Sequence, residues 1–396
     1  MTQLANIGED LLEEARGLQD ATVELRRSIH AEPELGLENP LTQQKVVESL
    51  SGLGLDIKLG ESTTSVVADL DSGKPGPTIL LRGDMDALPL QEDHVTDYQS
   101  RFEGRMHACG HDTHTAMLAS AARLLSENTS EFTGKVRFMF QPGEEGFHGA
   151  RYMIEEGVLE DVDKAFALHI TTTAPNGMIA TRRGAILASA DRFEITVNGN
   201  GGHASAPQDA TDPIPPAAAM VGNLQTMMTR EVAASDPAVL TVARIEAGTT
   251  NNIIPSSAFL EGTIRTYSEK ARNTILEAVP RVASGTAWAH GCTCNADIIP
   301  GYPVTINDPA QAEHVGEVAK ALVGADDFVM LSDPIMAAED FSYVLNEVPG
   351  AMVMLGACPD DVSPAAAEPL HSNLMRVNES AFYRGVALYA AMAIAG

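Results

Sequence analysis

Two metal-binding residue types stand on either side of a glycine in Cys109-Gly110-His111. A thiolate and an imidazole at this spacing can bind one ion only if the chain turns tightly between them, and glycine permits such a turn. Apolar residues at helical spacing from Thr113 to Leu125 predict a helix directly afterwards. The pair would then lie where backbone amides are free and the helix dipole is positive. A cysteine and a histidine that only pack or face solvent would give the same short motif, so the pair alone is not decisive.

Three further metal-binding residue types follow at Glu145, His169 and His371. Five ligands exceed the four of a tetrahedral structural zinc, and they suit two ions that each keep a position for water or substrate. Two ions about 3.5–4 Å apart activate a shared water as the nucleophile. Because Glu144 points in a different direction from its neighbour Glu145, we expect Glu145 to bind metal and Glu144 to act as the general base. The alternative interpretation of the Glu-Glu pair is a solvated helix start.

Asp84 and Asp86 lie two residues apart, so on an extended chain their side chains share a face. One of them could orient a metal-bound imidazole. The alternative is a turn at a strand end, in which aspartate caps backbone amides. His114 lies three residues beyond His111, and we expect it on the helix surface or behind the ligands.

The elements that must carry these residues alternate between strand and helix up to about residue 184. This alternation predicts an α/β layer with helices on both faces of the sheet. In such sheets functional residues gather at the carboxyl ends of strands, which is where Asp84, Asp86, Glu144, Glu145 and His169 fall. The predicted strands are 55–59, 65–70, 78–82, 135–140 and 164–169, and the predicted helices are 7–30, 42–50 (with Thr42 as N-cap), 113–125 and 149–156.

The pattern changes near Gly184. Strands over 192–198, 239–245 and 258–267, with helices over 212–234 and 268–289, suggest a β-α-β-β-α-β order that is typical of a ferredoxin-like inserted domain. The α/β character returns near Pro300, with a strand over 351–356 and a closing helix over 377–395. The predicted domains are therefore two catalytic segments, 1–184 and 299–396, around an inserted domain, 185–298.

The composition narrows the class of partner. The chain of 396 residues has 26 basic and 54 acidic residues, for a net charge of -28, which disfavours nucleic acid and anionic membranes as partners. An acidic surface would not attract anionic substrates, so recognition of a carboxylate on a small-molecule substrate would need a local arginine or a metal. Four cysteines are too few for a disulfide framework and indicate a reducing, cytoplasmic setting. The first residues lack the basic and apolar regions of a signal peptide, and the apolar stretch 385–396 is too short to span a bilayer, so neither export nor membrane insertion is expected.

Five motifs occur in one order along nearly the whole chain: RGDMDALP at 82–89, MHACGHD at 106–112, QPGEE at 141–145, GGHASAP at 201–207 and AEDF at 338–341. Together they resemble the amidohydrolase branch of the aminoacylase/carboxypeptidase metallopeptidase family. That branch includes N-acyl-L-amino acid amidohydrolases, hippurate hydrolases and auxin-conjugate hydrolases. The resemblance implies an α/β, di-metal peptidase-like catalytic domain interrupted by an α+β ferredoxin-like lid or dimerisation domain, and hence a homodimer or higher homo-oligomer.

The resemblance also implies roles for individual residues. The two divalent ions of each subunit would be bound by the five residues already singled out, with Glu144 as the base and Asp86 orienting a ligand. His203, on the loop of the lid, would stabilise the oxyanion. Asn252 and Arg265 would lie near the substrate, where Arg265 could clamp a free carboxylate in bidentate fashion. The implied metal ligands are Cys109, His111, Glu145, His169 and His371.

Two residues depart from the pattern of the family. Gln208 stands where relatives often have histidine after the proline, and Asn373 stands where many have proline after His-Ser. Neither change removes an implied ligand or the base. Both fall near the implied site, and so they bear on substrate preference.

We therefore expect a metal-dependent hydrolase that cleaves the amide bond of N-acyl amino acids to a carboxylic acid and a free amino acid. A dipeptidase or carboxypeptidase on the same di-metal site is the nearest alternative, and a catalytically silent scaffold or a structural zinc site are more distant ones. One cysteine and three histidines favour zinc, cobalt or nickel as the metal, and the resemblance keeps manganese as a candidate beside zinc.

Overall fold

The computed structural model describes residues 2–396, with side chains from residue 10 onward. The chain forms two compact units, each described by itself below. Unit 1 comprises Met1–Ile186, Ile306–Asp333 and Tyr343–Gly396, and unit 2 comprises Leu187–Thr305 and Pro334–Ser342. Within the described part of the chain, none of the helices combines the length and the apolar content needed to cross a bilayer.

The boundaries of these units differ from those proposed from the sequence at two places. The inserted domain predicted from the sequence ends at residue 298, but the last strand of that domain continues to Tyr302 and unit 2 continues to Thr305. The segment Pro334–Ser342 also belongs to unit 2, where its backbone accepts hydrogen bonds from Ala188 N–H (2.8 Å) and from the Tyr267 hydroxyl (3.2 Å). This return of the chain depends on tertiary contacts that no local sequence pattern marks.

Unit 1 is built on an eight-stranded sheet, with helices and strands numbered here along the whole chain. The strand order is β1-β2-β4-β3-β5-β16-β6-β15. Its central strands β4, β3, β5 and β16 run parallel, so their carboxyl ends lie at one edge of the sheet. The strands are β1 (Asp56–Leu59), β2 (Val66–Asp71), β3 (Thr78–Asp84), β4 (Lys135–Gln141), β5 (Lys164–Thr171), β6 (Ile179–Thr181), β15 (Phe328–Met330) and β16 (Gly350–Gly356).

Both faces of this sheet are covered, as the sequence predicted. Every residue of β3 and β16 is buried, which explains why β16 is a continuous apolar run rather than an alternating pattern. One face packs in a single apolar core with α4, α8 and α10. The helices of unit 1 are α1 (Thr2–Gly17), α2 (Gln19–His30), α3 (Pro40–Leu50), α4 (His111–Glu127), α5 (Gly149–Glu155), α8 (Pro309–Val323), α9 (Ser342–Glu347) and α10 (Phe382–Ile394).

Several predicted helices differ in their bounds, and the closing helix predicted over 377–395 begins only at Phe382. The single helix predicted over 7–30 is two helices that are separated at Leu18. The helix predicted to begin with Thr42 as its N-cap begins at Pro40 instead, a residue whose missing N–H costs nothing in a first turn. Thr42 is already inside the helix, where its backbone N–H and its hydroxyl both donate to the Glu34 carboxylate.

Unit 2 has the predicted β-α-β-β-α-β order. Four antiparallel strands form a sheet in the order β10-β12-β8-β13, and residues such as Phe193, Leu224 and Ile275 form its core with two helices. The elements are β8 (Ala190–Asn198), α6 (Ile214–Glu231), β10 (Ala238–Ala247), β12 (Ser257–Thr266), α7 (Glu269–Ala289) and β13 (Thr293–Tyr302), with β9 (Gly202–His203) paired to β11 (Ile253–Ile254). A separate pair, β7 (Gly184–Leu187) and β14 (Thr305–Asn307), falls where the chain passes from one unit to the other.

Candidate functional site

Cys109 and His111 flank a tight turn at the start of α4, as their spacing predicted. Gly110 has a φ of 90°, in the left-handed region that favours glycine. A Cβ atom at this position would also lie 2.4 Å from Cδ1 of Ile170. The helix begins at His111, two residues earlier than predicted, so the histidine side chain is fixed by regular helical backbone.

The five residues predicted as metal ligands come together in unit 1. The Cys109 Sγ atom lies 3.5 Å from His169 Nε2 and 3.4 Å from His371 Nε2. The donor atoms of these residues take part in four overlapping groups, each with all its atoms within 4.8 Å of one another; one of them is Asp84/His111/His114. The other three are Cys109/His111/His169, Cys109/Glu145/His371 and His111/Glu144/Glu145.

Hydrogen bonds to carbonyl oxygens set the tautomers of two of these histidines. His111 Nδ1 donates to the Asp86 carbonyl (2.8 Å), and His169 Nδ1 donates to the Ile170 carbonyl (2.7 Å). Because a carbonyl can only accept, each ring turns Nε2 toward the cluster as its metal-binding atom. The buried Nε2 of His111 has no hydrogen-bond partner among the described residues.

Asp86 organises the two glutamates that follow β4. Its carboxylate accepts the backbone N–H of Glu144 at Oδ1 (2.8 Å) and that of Glu145 at Oδ2 (3.0 Å). Asp86, which was predicted to orient a ligand, contacts His111 through its backbone more closely than through its carboxylate. His111 Nδ1 bonds to the Asp86 backbone carbonyl, and the carboxylate oxygen lies farther away, at 3.5 Å. The side chain of Asp86 instead fixes the turn that carries Glu144, which is buried, and Glu145.

Asp84 and His114 lie behind the predicted ligands, which for His114 is the second of the two positions expected from the sequence. His114 is fully buried rather than on the helix surface, because its Nδ1 donates to Asp84 (2.6 Å) and its Nε2 accepts the N–H of Ile170 (2.8 Å). Asp84 also binds Arg82 Nη1 (2.6 Å) and approaches His111 Nε2 to 3.5 Å. The i, i+3 spacing of His111 and His114 is the sequence feature that indicates that both lie on the same side of α4.

Burial and negative charge dominate the electrostatics of the cluster. Burial alone would lower the pKa of His111, but Asp84, Asp86 and Glu145 outweigh it and raise that pKa to about 10. Burial, with the carboxylates of Glu145 and Glu144, raises the pKa of the Cys109 thiol well above its usual value. Burial lowers the pKa of His169 to about 4. A buried set of carboxylates, thiol and imidazoles of this kind favours a bound cation.

The remaining predicted residues lie in unit 2. His203 is exposed on β9, and its Nδ1 accepts the backbone N–H of Ser205 (3.1 Å). Ile253 pairs with His203 across β9 and β11, and Asn252 directly precedes it, where the Asn252 carbonyl accepts the N–H of Ala204 (3.1 Å). Arg265 lies half-buried on β12, and its guanidinium shows no hydrogen bond or ion pair within the described part of unit 2.

Three relatives illustrate what the chain is similar to. The thermostable carboxypeptidase 2 of Saccharolobus solfataricus is 36% identical over 390 residues, which cover 98% of each chain. The IAA-amino acid hydrolase ILR1-like 2 of Arabidopsis thaliana is 36% identical over 396 residues, which cover 98% of this chain and 89% of that protein. The crystal structure of the Bacillus subtilis YXEP protein, a dinuclear metal-binding peptidase of the M20 family, matches with a TM-score of 0.83 and 32% identity over 96% of this chain and 98% of that one.

The family model for peptidase family M20/M25/M40 matches residues 80–395. This range contains Asp84, Asp86, all five predicted ligands and Glu144. Together with relatives that span almost the full chain, it confirms the resemblance that the motifs indicated. The chain belongs to peptidase family M20/M25/M40.

Proposed function

We propose that the protein is a metal-dependent hydrolase that cleaves the amide bond of N-acyl amino acids to a carboxylic acid and a free amino acid. The observation that carries this proposal is the buried donor cluster beside Glu144. Its His111 Nε2 atom lacks a hydrogen-bond partner among the described residues, and buried polar atoms rarely remain so. A divalent ion fits that atom and the surrounding thiol, imidazole and carboxylate donors.

Two divalent ions are part of the proposal, held by Cys109, His111, Glu145, His169 and His371. The dinuclear metal-binding relative and the overlapping donor groups support this number. When bound, such ions would polarise the substrate carbonyl and lower the pKa of water toward neutrality. Sulfur and nitrogen donors favour zinc, or cobalt or nickel, and manganese remains a candidate. Metal analysis of the purified protein by mass spectrometry identifies the ion.

In this proposal the protein residues position the reactants and move one proton. Glu144 takes a proton from the attacking water as the new C–O bond forms, and it returns that proton to the nitrogen as the C–N bond breaks. Asp86 holds the backbone of Glu144 in place through its Oδ1 atom. His203 stabilises the oxyanion. Because its Nδ1 accepts the Ser205 N–H, the neutral ring carries its proton on Nε2 and can donate from there.

A substrate panel tests this function and its nearest alternative. Metal-loaded enzyme is assayed with N-acetyl, N-benzoyl and indole-acetyl amino acids and with unblocked dipeptides. We expect turnover of blocked substrates, in line with the similarity to the IAA-amino acid hydrolase. Turnover confined to unblocked peptides would favour a dipeptidase or carboxypeptidase, an alternative kept open by the similarity to thermostable carboxypeptidase 2.

Arg265 is proposed to bind the free carboxylate of the substrate. Burial lowers the pKa of Arg265, and the neighbouring Asp191 is already bound by Arg272 at 2.8 and 2.9 Å. We expect Arg265→Ala to reduce kcat/KM for N-acyl amino acids by about 10- to 150-fold, the value of a charged hydrogen bond. The measurement compares these substrates with matched ones whose carboxylate is amidated. For the amidated substrates, Arg265→Ala should not lower kcat/KM below the wild-type value. The control is Arg281→Ala, which removes an exposed arginine of α7 paired with Glu231 of α6; an equal loss in both variants would contradict the assignment.

Metal binding should release protons. At pH 7 the metal-free site holds protons on Cys109 and His111, because the pKa of each is raised, that of His111 to about 10. Coordination through both releases them, so affinity should rise with pH by up to about 100-fold per unit. Calorimetry at pH 7 in two buffers of different ionisation enthalpy counts the protons. Binding without proton release would show that these two residues are not ligands.

We also propose that the protein forms a homodimer, or a higher homo-oligomer, through unit 2, and that it acts in the cytoplasm. The edge strand β10 supports an assembly surface, since Val239 and Ile245 expose 40% and 52% of their area there. The cytoplasmic setting is supported by all four cysteines being free thiols. Light scattering coupled to size-exclusion chromatography measures the oligomeric state.

A further inference from the structure

His371 differs from the other candidate ligands in how it is held. Its side chain is 53% exposed, whereas those of Cys109, His111 and His169 are buried. Its backbone has a φ of 68°, in the left-handed region that non-glycine residues rarely adopt. Its N–H donates to the Ala108 carbonyl (2.7 Å). The orientation of His371 must therefore depend on the loop around it more than on packing of its ring.

Asn373 lies two residues after His371, and it connects this loop to a segment that is distant in sequence. Its Nδ2 atom donates to Asp93 Oδ2 (2.5 Å), and the Asp93 N–H donates back to the Asn373 carbonyl (3.0 Å). The first bond has an ionised acceptor and is of the stronger kind. Two bonds of opposite direction fix both the side chain and the backbone of Asn373.

Asp93 is a firm anchor although it is itself exposed, because the preceding residue is fixed in the interior. Glu92 is buried, and its Oε1 atom lies 3.0 Å from His30 Nε2. Its other carboxylate oxygen accepts the N–H of Ser100 (2.7 Å). The Glu92 carbonyl accepts a hydrogen bond from Gln99 Nε2 (3.0 Å). The backbone that presents Asp93 is thus held on several sides.

His30, which contacts Glu92, also contacts the start of α4. His30 Nδ1 lies 2.8 Å from Asp112 Oδ2, and Asp112 follows His111 in the first turn of α4. A continuous series of contacts therefore connects the histidine at the start of α4 with the loop that carries His371. It runs through Asp112, His30, the Glu92–Asp93 dipeptide and Asn373.

We propose that Asn373, paired with Asp93, is a positioning residue that sets the His371 ring relative to Cys109 and Glu145. It would thereby set the affinity of the ion that these three side chains share. This inference rests on the proposed metal centre. Asn373 acts through His371, so its loss should weaken one of the two ions and leave the other nearly unchanged.

Cobalt titration of the full-length, metal-free protein tests this role. Binding constants and the visible absorption spectrum of Co²⁺ are compared for wild type and Asn373→Ala. We expect one ion to bind about 10- to 100-fold more weakly, as for other residues that orient ligands, with an altered spectrum for that ion. The exchange variant Asn373→Asp with Asp93→Asn should restore most of the affinity, because donor and acceptor only change places. The matched control is Asn128→Ala, which removes another exposed Asn–carboxylate bond of unit 1, to Glu14 (2.7 Å).

The outcomes separate this inference from the proposed function. Wild-type protein that fails to bind two ions would overturn the metal centre, and the inference with it. Two ions in wild type with unchanged constants in Asn373→Ala would overturn the inference alone. So would an equal weakening of both ions, or the same weakening in Asn128→Ala, because either would indicate general damage rather than a displaced His371.

Discussion

Replacing Glu144 by glutamine should lower kcat by about 10²- to 10⁴-fold, the contribution of a positioned general base. Glutamine keeps the size of the side chain and cannot take a proton. The backbone of residue 144 stays bound to Asp86 Oδ1, so the turn should keep its shape. Both metal ions should still bind. Steady-state kinetics with an N-acyl amino acid, together with metal analysis of the same sample, provide the measurement.

Glu145→Gln is the matched control for this prediction, since it makes the same change one residue later. Glu145 Oε1 lies 3.2 Å from His371 Nε2 and belongs to the donor group of Cys109 and His371. This variant should lose metal together with activity. Near-normal turnover in Glu144→Gln, or loss of metal from it, would contradict the roles assigned to the two glutamates.

Asp112→Asn should lower the free energy of unfolding of the metal-free protein by about 3–5 kcal/mol, the effect of removing one partner of a buried ion pair. Asp112 is fully buried, and its Oδ2 atom lies 2.7 Å from Arg26 Nε and 2.8 Å from His30 Nδ1. The amide would remove the carboxylate that Arg26 and His30 share, and would leave them only Glu379 and Glu92 as counter-charges. Urea denaturation followed by circular dichroism measures the change.

An exposed ion pair supplies the control for Asp112. Asp361→Asn removes the partner of Arg376 at the surface, where solvent screens the charges, and should change stability little. A similar loss in both variants would show that burial of the Asp112 network is not the source of its effect.

The same network should be sensitive to pH. Burial would raise the pKa of Asp112, but Arg26 and His30 hold it well below its usual value. Its contribution is therefore present above the ordinary carboxyl pKa of about 3.9 and is lost as the pH falls further. Burial and Arg26 lower the pKa of His30, yet Asp112 and Glu92 raise it overall, so its contribution is complete below about pH 6.5 and declines as the pH rises through the raised value.

Denaturation at several pH values checks these signs. The stability difference between wild type and Asp112→Asn should shrink as the pH falls below about 4, where Asp112 of the unfolded wild-type chain takes up a proton while the folded protein still keeps the carboxylate ionised. A difference that stays constant down to pH 3 would contradict the ionised, buried state of Asp112.

The sequence predicts those parts of the site whose residues are placed by the parallel strands of the sheet. Asp86, Glu144 and His169 follow strands β3, β4 and β5 or lie near their ends, and these parallel strands end at one edge of the sheet. Residue type and strand position therefore indicate that they meet. The tight turn at Gly110 could be predicted equally well, because two ligands at this spacing can bind one ion only if the chain turns sharply between them.

Other parts of the site depend on contacts that are distant in sequence. Helical spacing indicates which side of α4 carries His114, but only the fold supplies the Ile170 N–H and the Asp84 carboxylate that bury it. The loop of His371 has no periodicity to place it, and its support by Asp93 links segments that lie far apart in the chain. The same reason hides the return of Pro334–Ser342 to unit 2.

The most direct test of the central claim is activity measured against the number of divalent ions per chain. Chelated, metal-free protein is titrated with zinc or manganese, and hydrolysis of an N-acyl amino acid is followed at each step. We expect no turnover without metal and a plateau at two ions per chain. Full activity in the metal-free protein, or a plateau at one ion, would contradict the two-ion hydrolase.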